Sequence, residues 1–248
     1  MILSEKARLR KDRTGTVINT TSILQEKAII KARSLAVVHV ENSSGLSIRV
    51  MPTVPLKDIV AKLKQMKGFD DVEFHHLYDK TFMKPDGGIL YIADDKEQHF
   101  PIAIAEVKNQ GTNDLRLLEG KARQAQGNAI ERLGKNVIGF RAWLLEETIF
   151  PFIAFGYGCD FGVGSSILDR VTTIANFQRL NTFAVQNVGP DSRFQRGCFY
   201  FRLEEWSVEE MAEHLISVME YSINYYRKKY PDTRFELSRK TAIHNEIK

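Results

Sequence analysis

The spacing of apolar residues changes along the chain, and the changes divide it into elements. Over residues 22–40 (SILQEKAIIKARSLAVVHV) apolar side chains recur at helical intervals, with Ser22 placed to cap the first turn. Residues 55–66 (PLKDIVAKLKQM) open on proline and predict a short amphipathic helix, ended by Lys67-Gly68. The period then shortens. Residues 89–93 (ILYIA) and 100–107 (FPIAIAEV) are brief runs rich in β-formers, split by the polar stretch 94–99, and together they predict a hairpin. The second run reads as buried on both faces, and Pro101 stands at its start, where a strand tolerates proline. Residues 119–147 carry the longest helical pattern, with Gly127, Gly134 and Gly139 as weak points. Residues 149–157 (IFPFIAFGY) predict a further buried strand, and the four glycines within 156–164 predict a loop. A helix over 165–177 capped by Ser165 or Ser166, a strand over 182–188 and a long terminal helix over 207–229 complete the pattern. Ser207 and Glu210 form a capping box at the start of that last helix. Beyond residue 88 strands alternate with helices, so the expected fold class is α/β with a central mixed β-sheet flanked by helices.

Composition narrows the classes of function more than it selects one. With 43% hydrophobic and 27% charged residues the chain reads as an ordinary globular protein, and 248 residues suffice for one domain with a full core. No apolar run reaches the 18 or so residues that span a bilayer. The N-terminal basic residues are not followed by an apolar stretch, so a secretory signal is not expected and the cytoplasm is the expected location. Cys159 and Cys198 lie far apart and outside any CxxC pair, which argues against a disulfide scaffold or a structural zinc site. His75-His76 has no third ligand at metal spacing, and the glycine-rich loop lacks the Gly-Lys-Ser/Thr of a phosphate-binding loop. A net charge of +4 permits nucleic-acid binding without requiring it. Within residues 1–20, the first 13 carry Lys6, Arg8, Arg10, Lys11 and Arg13 against Glu5 and Asp12, read equally as a flexible basic arm on DNA phosphates or as a solvated terminus. Lys57, Lys62, Lys64 and Lys67 on the short helix admit the same two readings. Tyr221, Tyr225 and Tyr226 with Met219 fit packing of the core or of a dimer better than stacking on bases.

One constellation carries chemistry. Pro85-Asp86-Gly87-Gly88 precedes the first hairpin strand, and Glu106-Val107-Lys108 ends the second. Antiparallel pairing sets the start of one strand beside the end of the other, and residues two apart on a strand share a face. Glu106 and Lys108 therefore project together, where Asp86 can meet them. Charge at the end of an otherwise apolar strand is costly unless paired or liganded. Two carboxylates and a lysine suit a hard cation such as magnesium, which takes oxygen ligands and keeps several waters. Such an ion can bind a scissile phosphate and acidify a water. Lys108 can orient or deprotonate that water, or neutralise charge developing on phosphorus.

Three blocks, Pro85-Asp86-Gly87-Gly88, Ala105-Glu106-Val107-Lys108 and Gly127-Asn128-Ala129-Ile130-Glu131-Arg132, resemble in order and spacing the EcoRI group of type II restriction endonucleases. The wider group is the PD-(D/E)xK nuclease fold. The likeness is clear over residues 84–136 and weaker to about residue 180. It implies that residues 1–248 form a single endonuclease domain. It also implies that Asp86 and Glu106 ligate magnesium with the backbone carbonyl of Val107, that manganese substitutes, and that Lys108 acts on the water. Gln110 matches a family position beside the site. The implied enzyme is a homodimer acting on double-stranded DNA, each subunit cutting one strand of a palindrome to leave 5′-phosphate ends. A cognate DNA methyltransferase is implied in the host.

The third block is implied to read an inner AATT core. Asn128, Glu131 and Arg132 fall three and four residues apart, on one helical face. Asparagine can bond adenine bidentately, arginine can donate to purine acceptors, and glutamate can accept from base amino groups or brace the arginine. Gln124 and Gln126 stand where EcoRI is more apolar. Arg170 matches the first of two family arginines, and the second position is Thr173. The expected site is GAATTC or a variant with an altered outer pair, such as RAATTY or CAATTG. Two alternatives stand beside this reading: a sequence-specific DNA-binding protein that does not cleave, and a repair or recombination nuclease of the same fold.

Overall fold

The computed structural model describes residues 18–68, 71–73, 80–109, 120–122, 127–158, 161 and 198–239, with the side chains of residues 18–22, 109 and 127–132 set aside. The elements in chain order are α1 (Ile18–Ser44), β1 (Arg49–Met51), β2 (Val54–Pro55), α2 (Leu56–Lys64), β3 (Phe82–Met83), β4 (Gly88–Ala93), β5 (His99–Asn109), α3 (Gly127–Trp143), β6 (Phe152–Tyr157), β7 (Cys198–Arg202) and α4 (Val208–Lys229). Five strands form one sheet in the order β1-β4-β5-β6-β7, while β2 and β3 form a separate ribbon. β1 and β5 each pair antiparallel with β4, and β6 pairs parallel with both β5 and β7. The sheet is mixed and flanked by helices, as the α/β reading expects.

The central strands are apolar except toward the ends of β5, at His99 and from Glu106 to Asn109, because both faces are covered. On one face α1 and α4 pack Ile29, Ala32, Ala36, Leu215, Val218 and Ile223 against Leu90, Ile92, Ala105 and Val107. On the other face α2 and α3 pack Ile59, Leu63, Leu133, Val137 and Phe140 against Ile89, Ile104, Phe152 and Ala154. Strict alternation along β5 would put Phe100, Ile102, Ile104 and Glu106 on one face. Instead the register shifts between Leu90 and Tyr91, whose partners are Ala103 and Pro101. Ile102 is thus the extra residue of a β-bulge, and the phase of β5 flips there. Phe100, Ile102, Ala103, Ala105 and Val107 all join the α1/α4 core, whereas Ile104 joins the α2/α3 core. Glu106 and Lys108, two and four residues beyond Ile104, are thereby turned toward α3.

Several elements differ from the sequence reading. α1 begins at Ile18, so Ser22 lies inside the helix and does not cap it. The helix expected over 119–147 begins only at Gly127; residues 120–122 are not helical, and Gly120 has φ +67°, outside helical space. Gly139, noted as a weak point, is inside α3 because Met83 crosses there: a Cβ would lie 2.3 Å from the Met83 sulfur. β6 starts at Phe152, just after Pro151. The helix of 165–177 and the strand of 182–188 lie outside the described residues, as do His75, His76 and Cys159. Cys198 is buried. Met219 and Tyr226 are fully buried, with the Tyr226 hydroxyl donating to the Pro101 carbonyl at 3.0 Å, while Tyr221 is exposed. The capping box is present: Glu210 N–H donates to Ser207 Oγ at 3.1 Å, and Ser207 N–H donates to Glu210 Oε2 at 2.9 Å. No helix among the described residues is long and apolar enough to cross a membrane.

Candidate active site

The site is assembled by the mouth of the β4/β5 hairpin. Gly88 pairs with Ala105, and the Gly87 N–H donates to the Ala105 carbonyl at 2.8 Å. This close approach needs glycine, since a Cβ on Gly87 would sit 2.6 Å from the Ala105 Cβ and 2.9 Å from Ile29. Gly88 follows at φ +81°, a conformation that favours glycine. Arg33 of α1 secures the turn from outside, with Nη1 donating to the Gly87 carbonyl at 2.9 Å. The two glycines and Arg33 thus fix where Asp86 leaves the chain.

Asp86, Glu106 and Lys108 meet. Lys108 Nζ lies 2.9 Å from Asp86 Oδ2 and also pairs with Glu106 Oε1. Asp86 N–H donates to Glu106 Oε2 at 3.1 Å, and Val107 N–H donates to Asp86 Oδ2 at 3.3 Å. Asn136 of α3 adds a further bond, Nδ2 to Glu106 Oε1 at 3.1 Å. Glu106 is 1% exposed, whereas the Asp86 and Lys108 side chains keep 23% and 20% of their surface. The cluster is therefore sealed behind Glu106 and open on the Asp86–Lys108 side.

Burial pushes the Glu106 carboxyl up, and the neighbouring Asp86 charge adds to this, against the opposing pull of Lys108. Burial alone would lower the Lys108 ammonium, but the charges of Glu106 and Asp86 and the bonds to them outweigh it, so its net shift is upward. Lys108 is consequently held as an ammonium. Two carboxyl groups share it, and Arg33, the nearby guanidinium, is engaged with a backbone carbonyl instead. The cluster carries one acidic group more than its single ammonium balances.

That surplus fits a divalent cation of the hard, oxygen-seeking type. Magnesium is commonly held by one or two carboxylates, with waters and substrate phosphate completing the shell. Among the described residues no group of three or more His, Cys, Asp or Glu could hold a metal. The donor set at this site is accordingly two carboxylates and the backbone, too small for an all-protein cage and suited to an ion shared with substrate. The site also lies toward the carboxyl end of β5 in its parallel pairing with β6, where Glu106 stands opposite Ala154 and Lys108 opposite Gly156. Ligands of open α/β sheets bind at such strand ends.

Asn128, Glu131 and Arg132 occupy the opening turns of α3. Gln110, Gln124, Gln126, Arg170 and Thr173 fall outside the described residues. Two residues that support the site, Arg33 at the turn and Asn136 on Glu106, were not singled out in the sequence. Arg33 gives no local signal, because its target is a backbone carbonyl more than fifty positions away. Asn136 could have been found: it continues the four-residue spacing of Asn128 and Arg132 along one helix.

Residues 13–233 match the model of the family described as restriction endonuclease EcoRI. The chain is 28% identical over 218 residues to the type II restriction enzyme RsrI of Cereibacter sphaeroides, covering 74% of this chain and 77% of that protein. It is 32% identical over 124 residues to the type II restriction enzyme EcoRI of Escherichia coli, covering 47% of this chain and 44% of that protein. A matched span that includes the β4/β5 hairpin and α3, together with a mixed sheet of the expected class, establishes that the chain belongs to the EcoRI family of restriction endonucleases.

Proposed function

We propose that the protein is a magnesium-dependent type II restriction endonuclease that cuts both strands of DNA at a palindrome containing AATT. The observation that carries this reading is the meeting of Asp86, Glu106 and Lys108 at the hairpin mouth, with an acidic group in surplus. Asp86 and Glu106, with the Val107 carbonyl, would hold magnesium, and manganese could replace it. When bound, the ion supplies positive charge to the scissile phosphate and lowers the pKa of a water beside it.

The chain's own residues do the rest. Glu106, sealed inside, fixes the inner wall of the site, and Asp86 presents the outer carboxylate to solvent and substrate. Lys108, held as an ammonium, orients the attacking water and offsets charge as it builds on the phosphate oxygens. Asn128, Glu131 and Arg132, at the start of α3, read the inner bases, with Gln124, Gln126 and Arg170 reading farther out. Asp86 stands twenty residues before Glu106 in sequence, yet its N–H donates directly to the Glu106 carboxylate, so the two carboxyl groups that would hold the ion are already side by side. The reading includes a homodimer, with each subunit cutting one strand and leaving a 5′-phosphate, a cytoplasmic location, and a cognate methyltransferase protecting host DNA.

Digestion of random-sequence DNA with purified protein, followed by sequencing of the ends, tests the reading. Discrete ends that all contain AATT, formed with magnesium and not with chelator, are expected. The flanking bases then decide between GAATTC and an altered outer pair such as RAATTY or CAATTG. Uniform nicking without sequence preference would favour a repair or recombination nuclease. Tight, selective binding with no cleavage in magnesium or manganese would favour a DNA-binding protein.

A further inference from the structure

Helix α3 joins two parts of the molecule that the proposed function uses separately. Its opening turns hold Asn128, Glu131 and Arg132, and its middle holds Asn136. Asn136 lies four residues beyond Arg132 and eight beyond Asn128, about 12 Å along the axis from the latter. It is 6% exposed, between Leu133, Val137 and Phe140, which pack α3 onto the sheet. An apolar residue would serve that packing, and asparagine is a poor helix former. Its amide goes instead to Glu106 Oε1 at 3.1 Å.

The other hydrogen bonds to the Asp86–Glu106 pair come from the hairpin itself: the Asp86 and Val107 amides and the Lys108 ammonium. Among the described residues, Asn136 is the partner supplied by another element. A shift of α3 against the sheet therefore reaches Glu106 through one bond. Two side chains, Asn136 and Lys108, share Oε1, so losing the amide leaves that oxygen to a flexible lysine, with only the Asp86 N–H still holding Oε2. Groups that hydrogen-bond to a metal-binding carboxylate orient it, and removing one commonly lowers metal affinity or activity.

We propose that Asn136 is a positioning residue that fixes the Glu106 carboxylate and couples the seating of α3 on DNA to assembly of the cutting site. Correct contact at the first turns of α3 holds the helix where Asn136 aims Glu106. Contact with a wrong sequence leaves the helix, and with it the carboxylate, slightly displaced. This rests on the nuclease reading of the Asp86–Glu106–Lys108 cluster.

The test compares wild type with Asn136→Leu, which keeps the branched shape and removes the donor, and Asn136→Ala, which removes both. Three quantities are measured: Mn2+ binding to the free protein by calorimetry, thermal unfolding, and single-turnover cleavage of the protein's own site and of sites with one base changed. Both variants are expected to bind Mn2+ about tenfold more weakly. Cleavage of the correct site is expected to fall about 10- to 100-fold and that of altered sites by much less, so discrimination narrows. Asn136→Leu is expected to unfold at the wild-type temperature. If Asn136→Leu binds Mn2+ and discriminates as wild type does, Asn136 is a packing residue and the proposal is overturned. An equal loss on correct and altered sites overturns the coupling. A wild type that neither binds Mn2+ nor cleaves overturns the nuclease reading and this proposal with it.

Discussion

Two buried ionic clusters sit on this sheet, and they are built to opposite ends. At the far end of α3, Glu147 accepts from Tyr225 Oη at 2.9 Å, Tyr230 Oη at 3.0 Å and Lys229 Nζ at 2.8 Å. Arg141 beside it donates three times to the carbonyls of Leu144, Glu147 and Ile149, each at 3.1 Å. One carboxylate there has two cations within the same cluster and a donor on each oxygen. At the hairpin mouth two carboxyl groups share Lys108, and the carboxylate least able to reach water, Glu106, has its ionised form disfavoured by burial. The first arrangement gives each carboxylate oxygen a donor and ties the end of α3 to α4. The second leaves an acidic surplus that a stable fold does not need. Sites that work on a substrate commonly give up stability in this way.

The largest expected contrast is in activity. Asp86→Ala and Glu106→Gln are each expected to lower DNA cleavage about 10³-fold or more, since both are proposed metal ligands and loss of such a ligand removes several kcal/mol of transition-state stabilisation. DNA binding, read by gel shift, is expected to persist in both. Glu106→Gln is further expected to unfold no earlier than wild type in chelator, because it removes surplus buried charge while keeping the shape. Glu147→Ala should behave in the reverse manner. It takes the carboxylate acceptor from Lys229 and from two tyrosine hydroxyls and is expected to cost about 2–3 kcal/mol in urea unfolding. The figure is kept below that for a fully buried pair because the Lys229 side chain retains 30% exposure. Cleavage per folded molecule is expected to stay within about twofold of wild type, an allowance taken from the usual independence of distant sites.

The pH dependence of stability separates the clusters again. A carboxyl whose folded pKa lies above its unfolded value binds its proton more readily in the folded state. Its contribution is present at low pH and is lost as pH rises through the folded value. Glu106 is raised above 4.5 by burial. Metal-free wild type is therefore expected to lose stability as pH climbs from that value, and Glu106→Gln is expected to flatten the decline. Urea melts across a pH series in chelator measure both. At the surface Glu210 is the opposite case. Its bonds to Arg202, aided by Ser207, hold it down to about 2, so its contribution is present above 4.5 and lost as pH falls toward 2. The smallest effect is at the same cap: Ser207→Ala is expected to cost about 1 kcal/mol and to leave cleavage unchanged.

The sequence was most legible where chemistry and periodicity agreed. The β4/β5 hairpin was readable because two short apolar runs flank a polar turn, and its pairing alone brings Asp86 beside Glu106. α4 announced itself through Ser207 and Glu210. What stayed hidden depends on distant partners. The strands β1, β2 and β3 are two or three residues long, too short for a period to show. The start of α3 was not legible because nothing in the spacing over 119–147 sets Gly120, whose φ of +67° lies outside helical space, apart from the helix that follows. The bulge at Ile102 cannot be read from β5 alone, since it is defined by two partners on β4. Yet it decides which face receives Glu106, and hence that the carboxylate meets Asn136.

The most direct test of the central claim, that the acidic surplus at the hairpin mouth holds a divalent cation, is thermal unfolding during a magnesium titration. A cation bound only by the folded protein raises the unfolding temperature progressively with its concentration. Wild type and Glu147→Ala are expected to rise together from their different starting points, while Glu106→Gln stays flat. A Glu106→Gln protein that rises as steeply as wild type would contradict the account, because the stabilising cation would then be bound elsewhere.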